Sequence, residues 1–132
     1  MSAGENKAKK MAVALLKQQF ESVLWQARPD PEVLATGIPE IQLPRGCLTE
    51  IAGPASSGRT TLLHSILAAA TMRGETCALV DADDAFDPAT AAAAGVRIEN
   101  VVWVRCQKDA EAALEAADLL IQGGGFGVTF RP

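Results

Sequence analysis

Two rhythms of apolar residues divide this chain. Between residues 6 and 25 the apolar positions recur at helical spacing, with Val13, Leu16, Phe20, Val23 and Leu24 set against Lys10, Lys17, Gln18 and Glu21. That pattern predicts an amphipathic helix in need of a partner surface. Within it, Phe20 and Trp25 read as buried anchors rather than as stacking platforms for bases. Arg28-Pro29-Asp30-Pro31 ends the helix, because proline disfavours helix both in itself and in the residue before it. Pro39 and Pro44 then predict an irregular segment, so that the helix sits apart on a stiff connector. From residue 48 onward the pattern becomes β-α-β-α-β-α-β, with strands expected at 48–52, 76–82, 101–106 and 128–130. Their near-continuous apolar runs are those of strands covered on both faces. The helix expected over 61–72 lines up Leu63, Ile66, Leu67 and Ala70, and His64 falls off that stripe. A later helix, capped by Asp109, turns Ala110, Ala113, Leu114, Ala117, Leu120 and Ile121 inward and Glu111, Glu115 and Asp118 outward. Gly123-Gly124-Gly125 stops it.

Composition narrows the class. At 132 residues and 48% hydrophobic content the chain can build one core, and 5% aromatic residues with no tyrosine leave that core aliphatic. Helices packed on a mainly parallel sheet suit it better than a β-sandwich, so the fold class is α/β. Three segments are expected: residues 1–28, a helix for oligomerisation or partner docking; 29–47, a proline-bearing linker; and 48–132, the α/β core. The apolar run 60–72 is too short to cross a bilayer. No secretory signal is expected, since Lys17, Gln18, Gln19 and Glu21 interrupt the first apolar stretch. Cys47, Cys77 and Cys106 are odd in number and widely spaced in apolar surroundings, which reads as reduced, buried thiols of a cytoplasmic protein. The formal charge of −4 argues against a strongly nucleic-acid-binding surface.

The chemistry concentrates in Gly53-Pro54-Ala55-Ser56-Ser57-Gly58-Arg59-Thr60, followed by Thr61. Glycines at the first and sixth positions of G-x-x-x-x-G-K-[ST] let the backbone curl so that its N–H groups converge on a phosphate, and the following helix start adds partial positive charge. Thr60 would face a magnesium ion. Arg59 stands where the pattern has lysine; it keeps the charge but lacks the compact point donor that slots between phosphates. Phosphate binding survives that change better than catalysis does. The plainer alternative is a glycine-bearing strand-to-helix turn. Asp83, Asp84 and Asp87 likewise admit a plain reading, as an acidic turn that ends a strand and caps the helix starting at Pro88. Arg45 and Arg105 read as members of ordinary surface pairs, and His64 as a packed or solvated side chain rather than a ligand.

Leu43-Pro44-Arg45-Gly46, the run from Glu50 through Leu62, Gly74-Glu75-Thr76-Cys77-Ala78 and the run from Asp81 to Pro88 together resemble the bacterial RecA recombinase family over about residues 36–130. The resemblance implies a three-layer phosphate-loop ATPase core, ATP and Mg2+ as cofactors, a DNA-dependent ATPase of recombination and repair, and a homo-oligomer docked through the N-terminal helix. It also implies single-stranded DNA as a partner if a longer natural chain supplies the DNA-binding loops; no membrane role is implied.

By the same resemblance, Gly53, Pro54, Ala55, Ser56, Ser57, Gly58, Arg59, Thr60, Thr61 and Asp87 would bind the nucleotide, Thr60 would meet the metal, and Asp83 would take the place of the catalytic glutamate. Asp83 is one methylene shorter than glutamate and falls short of a water that the longer side chain reaches. Thr90 replaces the family's aromatic residue against adenine. Pro132 stands about where a magnesium-holding aspartate follows the last strand, which reads as a naturally truncated relative or a fragment.

Three functions follow. The first is a RecA-like ATP-binding protein with weak or absent hydrolysis. The second is a nucleotide-free accessory module of the DNA-damage response, resembling the RecA-like partners of error-prone polymerases and acting through its N-terminal helix. The third, a small phosphate-loop kinase, is disfavoured because no segment offers an acceptor site or lid.

Overall fold

A computed structural model describes residues 2–24 and 32–130, with all their side chains except those of 20–24. It separates the chain into two compact units that divide between Pro31 and Glu32. The first unit contains one long helix, α1 (Ala3–Leu24). Met11, Val13, Leu15 and Leu16 are all more than half exposed on it. The expected helix is therefore present, with these four apolar residues uncovered. The expectations placed on the side chains of Phe20, Val23 and Leu24, on Trp25 and on the 28–31 breaker lie outside the described residues.

In the second unit, residues 33–44 are not the irregular connector that the prolines predict. β1 (Val33–Ala35) and β2 (Gln42–Pro44) pair antiparallel, with Leu34 opposite Leu43. The hairpin survives its prolines because Pro44 closes the last pair and Thr36 organises the loop from within. The buried Thr36 hydroxyl donates to the Ile41 carbonyl at 2.6 Å and accepts from the Ile38 N–H at 3.3 Å. Ser65 Oγ donates to the Thr36 carbonyl at 2.7 Å, which fastens the hairpin to α2 (Arg59–Met72).

The body is a parallel sheet. β3 (Cys77–Asp81) lies at its centre between β4 (Val101–Arg105) and β5 (Val128–Phe130), in the order β4-β3-β5. Register sets Cys77 beside both Val101 and Val128. The short α3 (Pro88–Ala93) lies on the crossover from β3 to β4, and α4 (Ala110–Gly123) on the crossover from β4 to β5. Every residue of β3 is buried. Cys77 packs with Leu67, Ala70, Ala91 and Val96, whereas Val80, on the opposite side of the pleat, packs with Cys106, Ala113 and Ala117. Burial of the Cys77 thiol pushes its pKa up to about 11, so it stays a protonated, apolar side chain.

Three expectations fail here for physical reasons. Residues 48–52 form no strand: Leu48 is 98% exposed, and among the described residues no strand lies beside the segment to complete its hydrogen bonds. On α4 the buried stripe is narrow. Ala113 and Ala117 face the sheet, while Ala110, Leu114 and Ile121 remain exposed. Cys47 is exposed on the turn after β2, whereas Cys77 and Cys106 are buried as expected.

The end of the sheet at which β3 starts is held by charge. Arg45 reaches Glu75 through two bonds, at 2.6 and 3.0 Å, and donates to the Gly127 carbonyl at 3.3 Å. Arg73 Nε adds a third bond to Glu75 at 3.0 Å. The fork geometry of guanidinium on carboxylate explains the two-point contact. Arg45 therefore has a structural task, which joins the segment after β2 to the strands.

Candidate functional site

The two glycines of the loop have different physical reasons. Gly58 has φ +89°, a left-handed conformation that L side chains rarely adopt, and it precedes the first residue of α2. Gly53 is approached closely: a Cβ there would lie 2.6 Å from Ser57 Oγ and 3.2 Å from its Cβ, so the serine would have to turn aside. Between them Ser56 also takes a positive φ of 61°, and Ser57 N–H donates to the Pro54 carbonyl at 3.3 Å. The backbone thus doubles back between Gly53 and Gly58. No side chain caps α2, and its first N–H-to-carbonyl bond from this turn runs from Leu62 to Gly58 at 2.9 Å. The amides at the start of α2 are left for another acceptor. Arg59 begins the helix and folds its stem back, with Cδ 3.9 Å from the position of a Cβ on Gly53. Gly53, Pro54, Ala55, Ser56, Ser57, Gly58, Arg59, Thr60 and Thr61 are all exposed.

The acidic loop follows β3. Asp81, its last residue, is fully buried and ionised. Its Oδ1 accepts from the Ala85 N–H at 3.0 Å, and its Oδ2 from the Phe86 N–H at 2.9 Å and the Trp103 indole at 3.2 Å. Burial pushes its pKa up, but the Phe86 and Ala85 amides, the indole and the Asp83 amide outweigh it and hold the carboxyl below its ordinary value. Asp83 is exposed. Asp84 has φ +56° and accepts from Arg105 Nε at 3.0 Å, so Arg105 is paired, as the sequence suggests. Asp87 caps α3, accepting from the amides of Ala89 and Thr90 and from the Thr90 hydroxyl. Those bonds, the Thr90 hydroxyl first, lower its pKa.

His64 connects the two regions. It is buried, one helical turn beyond Thr60, and meets Phe86 edge-to-face with ring centroids 6.2 Å apart. The acidic loop therefore lies alongside the first turns of α2. Sequence reading left His64 off the apolar stripe; the signal it lacked was Phe86, which covers that side of the helix.

Metal fits less well than phosphate. Among the described residues no three His, Cys, Asp or Glu side chains gather to hold an ion, and Thr60 alone is one neutral oxygen for a cation that requires near-octahedral coordination. No described helix is long and apolar enough to cross a membrane.

Two βαβ units on a parallel sheet, with a doubled-back glycine loop at the start of α2 and a pinned acidic loop after β3, define an α/β protein. The chain matches the RecA N-terminal domain family over residues 10–130, and it belongs to that family. It is 36% identical to protein RecA of Teredinibacter turnerae, over 97% of this chain and 41% of that protein. The chain thus spans about two fifths of the length of this curated relative.

Proposed function

We propose that this chain is the nucleotide-binding part of a RecA-like protein of DNA recombination and repair, which holds ATP through its phosphates and hydrolyses it weakly or not at all. The observation that carries this reading is the doubled-back loop, with Gly58 at φ +89° and uncapped amides at the start of α2. In it, residues 53–58 cradle the phosphates, Arg59 supplies charge, and Thr60 and Thr61 offer hydroxyls. Asp83 is the nearest counterpart of a base and Asp87 lies toward the base of the nucleotide. Weak hydrolysis follows from Asp83 being one methylene shorter than glutamate and from the magnesium meeting a neutral hydroxyl, that of Thr60. The complete three-layer core, the cytoplasmic setting, single-stranded DNA as a partner of a longer chain, and the division into residues 1–28, 29–47 and 48–132 belong to the same proposal.

Millimolar ATP with magnesium is expected to raise the melting temperature, since a ligand at about 100 times its Kd adds about 2.7 kcal/mol to the folded state. Gly58→Val is expected to abolish the rise, because a β-branched residue is a poor fit at that φ. Phosphate release is expected to stay at background in both proteins. No shift in the parent would remove the nucleotide reading.

A second reading has its own support in the uncovered apolar residues of α1. Here the helix docks on another chain, either a second copy or a repair partner, with or without nucleotide. Self-association is expected in sedimentation equilibrium and is expected to be lost when Val13 and Leu16 are both changed to serine. A monomer at every concentration would end the second-copy version.

A further inference from the structure

Trp103 and Arg105 stand two residues apart on β4, so their side chains leave the same face of the sheet. Register puts Trp103 beside Leu79 and Arg105 beside Asp81, the last residue before the acidic loop. Trp103 grips that loop twice: its indole N–H donates to Asp81 at 3.2 Å, and its ring meets Phe86 edge-to-face at 5.4 Å. Arg105 lies over the Trp103 ring, with Cζ 5.1 Å from its centroid, and donates to Asp84 at 3.0 Å. Phe86 is the ring that touches His64, one turn along α2 from Thr60. A contiguous set of side chains therefore runs from the end of β4, through the acidic loop, to the helix that starts at the glycine loop.

We infer that Trp103 and Arg105 are positioning residues for the phosphate ligand, Trp103 by fixing the acidic loop and Arg105 by cancelling the charge of Asp84. This rests on the nucleotide reading above. Three carboxylates, those of Asp83, Asp84 and Asp87, lie in or directly after a loop that packs against α2, and a polyphosphate at the start of α2 would be repelled by them. Arg105 is more than half exposed on its side chain, and a pair so exposed adds little to folding. Its worth lies instead in the charge that a nearby anion meets. Stacking on Trp103 keeps the guanidinium in one place, which a freely rotating lysine could not do as well.

The test uses the full chain in a Trp25→Phe background, so that Trp103 is the only indole, with ATP and AMP as probes. Arg105→Met is expected to weaken ATP binding about 5–10-fold and AMP binding less, since the repulsion scales with ligand charge. Arg105→Lys should recover part of the loss, and Asp84→Asn in the Arg105→Met protein most of it. A scaffold role alone would not be rescued by removing Asp84. Trp103→Phe is expected to speed amide exchange of Ala85 and Phe86 about tenfold while the β3 core amides stay slow.

Unchanged ATP affinity in Arg105→Met, or no rescue by Asp84→Asn, overturns the role of Arg105. Unchanged exchange in Trp103→Phe overturns the clamp. A parent that binds no ATP removes the nucleotide reading and the ligand half of this inference with it, and the exchange measurement still decides the clamp.

Discussion

Asp81→Ala is expected to cost about 3–5 kcal/mol, a loss in the range seen when one side of a buried charged network is removed. Three donors converge on this carboxylate inside the body: the amides of Ala85 and Phe86 and the Trp103 indole. Deleting it leaves all three part-buried donors without their acceptor and opens a hole where a fully buried side chain stood. Urea unfolding checks the figure, with a lower midpoint at an unchanged slope. Asp81→Asn keeps the shape and one oxygen, and is expected to recover roughly half, because an amide accepts weaker bonds than a carboxylate.

The bonded carboxylates at the two ends of β3 give the fold a pH signature. Asp81 and Glu75 both have folded pKa values below their ordinary ones. Such groups stabilise the fold fully above the unfolded-state pKa, and the contribution is lost as pH falls through the lowered folded value. Stability is therefore expected to drop below about pH 4, where unfolded carboxyls begin to hold protons. Asp81→Asn should flatten that drop.

The sequence made some elements legible and others not, and the difference is physical. β3 and β4 were readable because the runs 77–80 and 101–104 are uninterrupted and apolar, although only β3 is buried along its whole length, and the caps Asp87 and Asp109 because capping chemistry is local. Residues 48–52 carry the same kind of run, yet a strand exists only with a neighbour, and no pattern within five residues reports one. The hairpin was missed for the opposite reason. Its strands are three residues each, too short for alternation to show, and the determinant is Thr36, whose hydroxyl closes the loop from inside.

The glycine loop was legible as a spacing, and the structure adds what each glycine does: Gly58 takes a positive φ and Gly53 leaves room for Ser57. Trp103 and Arg105 looked like one more apolar strand residue and one more surface cation. Their importance comes from parallel register, which brings Asp81 alongside Arg105. The available signal was the pairing of an aromatic and a cation at i and i+2 on a strand next to one that ends in a carboxylate.

Gly127→Ala is expected to cost about 2–4 kcal/mol, more than a glycine-to-alanine change usually does, since it combines a steric clash with the breaking of a partly buried ion pair. A Cβ on residue 127 would lie 1.9 Å from Glu75 Oε2 and 2.9 Å from its Cδ. The carboxylate cannot stay. Its displacement releases Arg45, which bonds both Glu75 oxygens and the Gly127 carbonyl, and with Arg45 goes the link between the hairpin and the sheet. The mechanism predicts non-additivity. Glu75→Ala removes the clash and the pair together, so the double variant should be no less stable than Gly127→Ala alone, and the two single losses should not sum. Thermal melts of the four proteins measure this coupling. Additive losses would mean that Gly127 acts through its own backbone rather than through the room it leaves for Glu75.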